Sequence, residues 1–177
     1  MQRLAVFILS MIVATLATMA SAVAEDAGLA DRTAAAHAAD KPVATPAATT
    51  SPDAAVHSRP AIYTSVNGQE IEGWLAWPAG KTEAGMPALI VIHEWWGLND
   101  NIRRTSERLA AEGYITLAVD LYKGGTADTP KQAMQLMEGL NAEADAGREN
   151  LVAAYEYLAS VMGAERIGVI GWCLGGR

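Results

Sequence analysis

Cysteine is nearly absent from this chain: of 177 residues only Cys173 is one. A lone thiol excludes an internal disulfide, a thiolate metal cage and a Cys-x-x-Cys exchange pair. A redox-active thiol protein is thereby disfavoured, and Cys173 is either a free reactive thiol or a small buried residue. Histidine is almost as scarce, at His37, His57 and His93. His37 and His57 lie in a low-complexity stretch, so no zinc-type cluster is visible and no metal is expected. Basic residues are few and scattered, 13 against 20 acidic, for a formal net charge of −7. The densest pair, Arg103-Arg104, reads as solvated helix surface. Phosphate binding needs clustered Lys and Arg, so nucleic acid is not an expected partner. The glycine pairs Gly124-Gly125 and Gly175-Gly176 lack the spacing of a phosphate or dinucleotide fingerprint, and no cofactor is expected.

Large apolar residues are rare between Glu25 and Pro60, where Ala, Thr, Pro, Ser and Asp dominate. Ordering such a segment costs chain entropy without offsetting burial, so 25–60 reads as a disordered, flexible Ala/Pro/Thr-rich linker. Within it the Ala-rich 31–39 has transient helical character and no functional implication. Ahead of it stand Arg3, an apolar run over 4–20, and the small-x-small pairs Ala20-Ser21-Ala22 and Ala22-Val23-Ala24. This is the pattern of a secretory signal peptide over 1–24, cleaved after Ala24 or alternatively after Ala22. A retained membrane anchor is the competing reading, but the run contains Ser10, Thr15 and Thr18 and is marginal for spanning a bilayer. The expected location is therefore periplasmic or secreted, without stable membrane insertion after cleavage.

From Ala61 the composition changes. Segments 62–66 and 70–77 flank Asn67-Gly68, a hairpin signal. The apolar runs 87–92 and 115–119 are expected strands buried on both faces. Asp100 is a candidate cap for a helix from about Asn101 to Glu112, with Gly113 as its stop. Helices are expected over about 129–140 and 142–162, and a last strand over 167–170. Strands alternating with helices imply an α/β domain over 61–177 with a mostly parallel sheet, flanking helices and right-handed crossovers.

The sharpest motif is Gly171-Trp172-Cys173-Leu174-Gly175 directly after that last strand. It has the form of a nucleophile elbow with Cys at its centre. The residues two before and two after the nucleophile must be small where strand and helix converge, and both are glycine. Leu174 would offer its backbone N–H as one oxyanion donor, and the positive end of a following helix would face the thiolate. The competing reading is a structural cysteine in a tight turn. The second motif, His93-Glu94-Trp95-Trp96-Gly97, leaves the 87–92 strand. Ligands in open α/β sheets sit beyond the carboxyl ends of the strands, and both motifs lie there. Trp95 is the candidate for the second oxyanion N–H. Glu94 is either a carboxylate held in a poorly hydrated place beside two tryptophans or a surface loop acid. Trp172 and Trp95 flank the site and could line a pocket for an apolar acyl group; Trp74 and Trp77 read as core.

Three segments together resemble the dienelactone hydrolase family, of the α/β-hydrolase superfamily. They are Val91-Ile92-His93-Glu94-Trp95-Trp96-Gly97-Leu98-Asn99, then Ala118-Val119-Asp120-Leu121-Tyr122, then Gly168-Val169-Ile170-Gly171-Trp172-Cys173-Leu174-Gly175-Gly176. The resemblance covers roughly 61–177. It implies an α/β-hydrolase-type sheet and hydrolysis of a carboxylic ester or lactone through a cysteinyl acyl-enzyme. It further implies Cys173 as nucleophile, Glu94 as acceptor of the thiol proton, and an Asp and a His later than the nucleophile. Only Leu174, Gly175, Gly176 and Arg177 follow Cys173 here. The expectation is thus a fold truncated after the elbow, with the elbow strand as an edge, and an inactive fragment of a hydrolase. His93 precedes the nucleophile and is a poor substitute base. Lys123 stands near where a family member carries a carboxylate-binding Arg; it could attract an anion only as a point charge, and otherwise reads as a solvated loop lysine. A non-catalytic small-molecule binding module, or degenerate pseudoenzyme, is the rival reading.

Overall fold

The computed structural model describes residues 28, 31–49, 52, 54–66, 68–80 and 85–176. The signal-peptide reading of 1–24 and Arg177 lie outside the described residues. The chain divides after Ala39. In the first unit 31–36 are helical, as alanine-rich sequence favours.

The second unit begins with a helical turn, α1 (Pro46–Thr49), followed by two long strands, β1 (Val56–Val66) and β2 (Gln69–Pro78). Then come β3 (Pro87–Ile92), α2 (Asp100–Ala111), β4 (Ile115–Val119), α3 (Pro130–Ala142), α4 (Ala144–Ser160) and β5 (Arg166–Gly171). A 3₁₀ turn over Cys173–Gly176 follows. The expected hairpin is present: β1 and β2 pair antiparallel from Val66 opposite Gln69 to Val56 opposite Pro78. β1 starts at Val56, ahead of the expected 62, and includes Pro60. A proline is tolerated there because β1 is an edge strand in the order β1-β2-β4-β3-β5.

β2 meets β4 antiparallel, whereas β4, β3 and β5 run parallel. The sheet is therefore mixed on the hairpin side and parallel where the two motifs emerge. From β3 the chain moves one way to β4, then crosses back over β3 to β5. Right-handed crossovers in opposite directions put their helices on opposite faces, and the core divides accordingly. Ala88, Ile90, Ile92, Ile115, Leu117 and Val119 pack with Ala154 and Leu158 of α4 and with Met162 just beyond it. The alternate residues Val91 and Ala118, with Leu89 and Ile170, pack with Ile102 and Leu109 of α2. Alternation along strands covered on both faces is why 87–92 and 115–119 are apolar throughout.

Helix starts follow side-chain chemistry. The cap of α2 is Asn99, one residue before the expected Asp100; its side chain accepts from the Ile102 N–H at 3.3 Å. Asp100 sits instead in the first turn and pairs with Arg103, where an acid favours the helix dipole. Thr129 caps α3 in a reciprocal box with Gln132, and Pro130 opens the helix. Among the described residues β5 pairs with β3 alone, and Val169 is 63% exposed.

Candidate active site

β3, β4 and β5 end together. Ile92 is in register with Val119 on one side and with Gly171 on the other. The loops after these strands therefore leave one edge of the sheet at the point where the strand order reverses, the crevice in which open α/β sheets bind ligands.

The elbow is built by close approach. A Cβ on Gly171 would lie 2.4 Å from the Gly175 carbonyl oxygen, and one on Gly175 would lie 2.8 Å from the Ile92 carbonyl oxygen. Both glycines are thus required where the turn folds back on its own strand and onto the end of β3. The Gly175 N–H donates to the Trp172 carbonyl at 2.9 Å. Between them Cys173 has φ +53°, a left-handed conformation costly for a residue with a side chain. Cys173 is exposed, which disfavours the reading as a buried structural residue. Where a helix was expected to follow it, the described chain makes the single 3₁₀ turn to Gly176.

The loop after β3 is fixed by buried groups. His93 is fully buried. Its Nε2 accepts from the Leu121 N–H at 3.2 Å and its Nδ1 lies 2.6 Å from the Glu94 carbonyl. An acceptor Nε2 makes Nδ1 the protonated nitrogen, so the imidazole is neutral. Burial lowers its pKa below the ordinary 6.5, against the opposing pull of the Glu94 carbonyl and the Asp120 charge. His93 is a structural tie between the two loops. Trp95 and Trp96 are buried in edge contact, centroids 4.9 Å apart, beneath Ala133 and Met137 of α3, with Leu174 packed against them. The Trp95 indole is thus core, not pocket lining; its proposed oxyanion role concerns only its backbone. The Ala127 N–H donates to the Trp96 carbonyl at 3.0 Å, joining this loop to the one after β4.

The loop after β4 carries a buried network that sequence alone did not suggest. The Tyr63 hydroxyl donates to Asn150 Oδ1 at 2.6 Å and accepts from the Asp120 N–H at 3.2 Å. Asn150 Nδ2 donates to the Asp120 carbonyl at 3.0 Å. The Asp120 carboxylate accepts from the Tyr122 and Gly124 N–H groups. Burial raises the Tyr63 pKa, so the phenol stays a donor. These bonds aim Tyr122. Its ring lies 4.7 Å from that of His93, and its buried hydroxyl has no hydrogen-bond partner among the described residues. Burial raises its pKa too, with a smaller contribution from the nearby Cys173. The sequence signal for Tyr122 is only that of a tyrosine in a loop leaving a buried strand.

Of the other expected site residues, Glu94 and Trp172 share the lining of one small cavity, with Thr45, Pro46, Asn101, Ile102 and Thr105. Trp172 is 37% exposed. Lys123 lines different cavities, and its ammonium is paired with Glu143. The anion it would attract is already supplied by the chain. Trp74 and Trp77 are partly buried against the core; the Trp74 indole donates to Glu107 Oε1 at 3.2 Å.

The model of the dienelactone hydrolase family matches residues 71–177. Among curated relatives, Protein usf of Aquifex pyrophilus is 35% identical over 116 residues, covering 62% of this chain and 48% of that protein. A provisionally named carboxymethylenebutenolidase of Aquifex aeolicus is 36% identical with the same coverage. This chain thus spans about half the length of these curated relatives. Among solved structures, m3DLH superposes with TM-score 0.61 at 34% identity, covering 69% of this chain and 51% of that one. The dienelactone hydrolase-like promiscuous phosphotriesterase P91 from metagenomic libraries gives 0.61 at 26% identity, covering 69% and 51%. An elbow centred on a strained, exposed cysteine at the carboxyl edge of a parallel sheet has here its counterpart in relatedness, and the chain belongs to the dienelactone hydrolase family.

Proposed function

We propose that the protein hydrolyses carboxylic esters or lactones through Cys173. The observation that supports this most is the backbone of the elbow: Cys173 is exposed and held at φ +53° between two glycines that no larger residue could replace. Strain of this kind persists where the surrounding structure holds a residue for chemistry. In the proposed step Glu94 takes the thiol proton and the sulfur attacks the ester carbonyl carbon. A C–S bond forms, the C–O bond breaks, and the alcohol or ring oxygen leaves with a proton. Water then hydrolyses the thioester, aided by the Asp and His that the family resemblance places after the nucleophile. The Leu174 and Trp95 N–H groups are the proposed oxyanion donors, and the Tyr122 hydroxyl, without a partner among the described residues, is proposed as a third. Trp172 contacts the substrate; Lys123, engaged with Glu143, is the weaker substrate-binding candidate.

The test is alkylation and substitution in the full-length protein. Iodoacetamide should label one site and abolish ester hydrolysis, and Cys173→Ala should remove it, because the attacking group is gone. Glu94→Gln should slow it by about 10²–10⁴-fold, the range of a positioned general base. Undiminished hydrolysis in Cys173→Ala would overturn the reading in favour of a different nucleophile. Export through the 1–24 segment belongs to the same proposal; its measure is the mature N-terminus, expected at Glu25 or Val23, and recovery of Met1 in membranes would refute it.

A further inference from the structure

We infer that Asn150, buried in α4, is a positioning residue: with Tyr63 of β1 it fixes the Asp120 peptide, and through the loop that follows it holds the Tyr122 hydroxyl as a donor to the Cys173 thiolate. The reaction served rests on the hydrolase reading above; the geometry does not.

Three elements are shaped to make this contact. β1 and β2 shift register between Ile62 and Thr64, so Tyr63 is the extra residue of a bulge. A bulge re-aims a side chain, and Tyr63 is buried. β2 makes room for it with Gly73, where a Cβ would lie 3.0 Å from the Tyr63 ring and 2.6 Å from the Ala118 carbonyl oxygen. α4 buries the stripe Asn150, Ala154 and Leu158. An amide in such a stripe is costly unless its groups are paired. Here both halves are: Oδ1 accepts from the Tyr63 hydroxyl at 2.6 Å, and Nδ2 donates to the Asp120 carbonyl at 3.0 Å. The Tyr63 hydroxyl in turn accepts from the Asp120 N–H at 3.2 Å. Both polar groups of the Asp120 backbone are thus held by side chains from outside the loop.

From Asp120 the loop 120–124 is bound residue by residue. The Leu121 N–H donates to His93, and the Asp120 carboxylate accepts from the Tyr122 and Gly124 N–H groups. Gln69 Nε2 donates to the Lys123 carbonyl at 3.1 Å, and the Lys123 ammonium pairs with Glu143. Lys123 is held at φ +54°, a strain that persists where the surroundings over-determine a backbone. The Tyr122 hydroxyl stands out against this: it is buried and has no partner among the described residues. A buried hydroxyl left over in an otherwise satisfied loop calls for an explanation, and the elbow supplies one. The Tyr122 ring lies 4.7 Å from that of His93. His93 directly follows Ile92, against which Gly175 of the elbow is pressed. Burial raises the Tyr122 pKa first, and charge on Cys173 raises it further. Phenol and sulfur are therefore within electrostatic reach, and the phenol keeps the proton it donates.

Cys173 is the one cysteine of the chain, so alkylation of the full chain by iodoacetamide reads this thiol and requires no turnover. A hydroxyl donating to a thiolate enriches that form by about tenfold, and the lower nucleophilicity of the stabilised thiolate offsets about threefold of this. Tyr122→Phe should therefore slow alkylation at pH 7 about threefold. Asn150→Ala and Tyr63→Phe should each slow it by about as much. In the Tyr122→Phe background neither should add more than about 1.3-fold, because residues that act through one group are not additive. Leu158→Ala is the control on the same stripe of α4: it opens a cavity, removes no hydrogen bond to the loop, and should alkylate at the wild-type rate. Circular dichroism melts establish that each variant is folded at the assay temperature. If Asn150→Ala is not, Tyr63→Phe, which deletes a single oxygen, carries the test. Ester hydrolysis is followed in parallel, and Asn150→Ala should lower kcat about tenfold with KM within about twofold of wild type.

An unchanged alkylation rate in Tyr122→Phe, or in both Asn150→Ala and Tyr63→Phe, overturns the assignment. So does equal slowing with and without the Tyr122 hydroxyl, or the same slowing in Leu158→Ala. The expected pattern without Cys173-dependent hydrolysis would keep Asn150 as the residue that sets the thiol and remove the hydrolase reading. Cys173-dependent hydrolysis with alkylation rates unmoved by all three substitutions would do the reverse.

Discussion

Cys173 provides a test in which two small substitutions should rank in the order opposite to the usual one. In regular structure, alanine is more stable than glycine by about 0.5–1 kcal/mol, because glycine loses more backbone freedom on folding. At φ +53° a Cβ costs roughly 1–2 kcal/mol, and glycine has none. Subtracting the entropic disadvantage of glycine leaves Cys173→Gly more stable than Cys173→Ala by about 0.5–1 kcal/mol. Both substitutions remove the same exposed sulfur, so differences in packing and thiol chemistry cancel. A control lies at Gly139 in α3, where an added Cβ would meet nothing within 4 Å; there Gly139→Ala should stabilise by about 0.5–1 kcal/mol. Urea unfolding followed by tryptophan fluorescence reads both pairs. With m of about 2 kcal/mol per molar, the midpoint for Cys173→Gly should lie roughly 0.4 M above that of Cys173→Ala, and Gly139→Ala should lie above wild type by a similar amount. If alanine equals or exceeds glycine at 173 while the Gly139 control behaves, the elbow is not strained, and the main support for a catalytic cysteine falls with it.

The neighbouring glycines should separate by clearance. Gly175→Ala, pressed against Ile92, should destabilise by about 1–3 kcal/mol or more, whereas Gly176→Ala, whose nearest contact would be 4.0 Å away, should leave the urea midpoint within about 0.5 kcal/mol of wild type. His93 is buried neutral with its pKa lowered, so the unfolded chain takes up its proton first as pH falls. Its contribution is whole above about pH 6.5 and declines as pH falls toward the lowered folded value; His93→Gln should flatten the slope of melting temperature against pH in that acidic window, and equal slopes would refute a buried neutral imidazole. Tyr122→Phe removes a buried hydroxyl without a partner among the described residues and should raise stability by about 1 kcal/mol, while slowing ester hydrolysis by about 10²-fold, as loss of an oxyanion donor does; a destabilised variant would show that the hydroxyl has a structural partner after all.

What the sequence by itself determined is what depends on neighbours along the chain. The apolar runs at 87–92 and 115–119 became β3 and β4 with the expected bounds, because a strand covered on both faces can carry only apolar residues. The glycines two before and two after Cys173 announced the elbow, since no other residue fits where the chain turns back on itself. Local signals were already less decisive at α2, where Asn99 and Asp100 can both cap and only the direction of the Ile102 N–H chose between them. Tertiary structure decided the rest. β1 reaches back to Val56 because β2 offers a partner as far as Pro78, not because 56–61 has a strand pattern. Lys123 reads as a loop cation in one dimension and is an ion-paired residue in three, since α4 starts beside Glu143. Tyr63, Asp120 and Asn150 form one network across 87 residues of sequence, and Thr45 reaches Asn101 across 56. Hydrogen bonds of that span have no periodicity to betray them: each partner is an ordinary polar residue until the packing of the sheet between its helices brings the other within 3.2 Å.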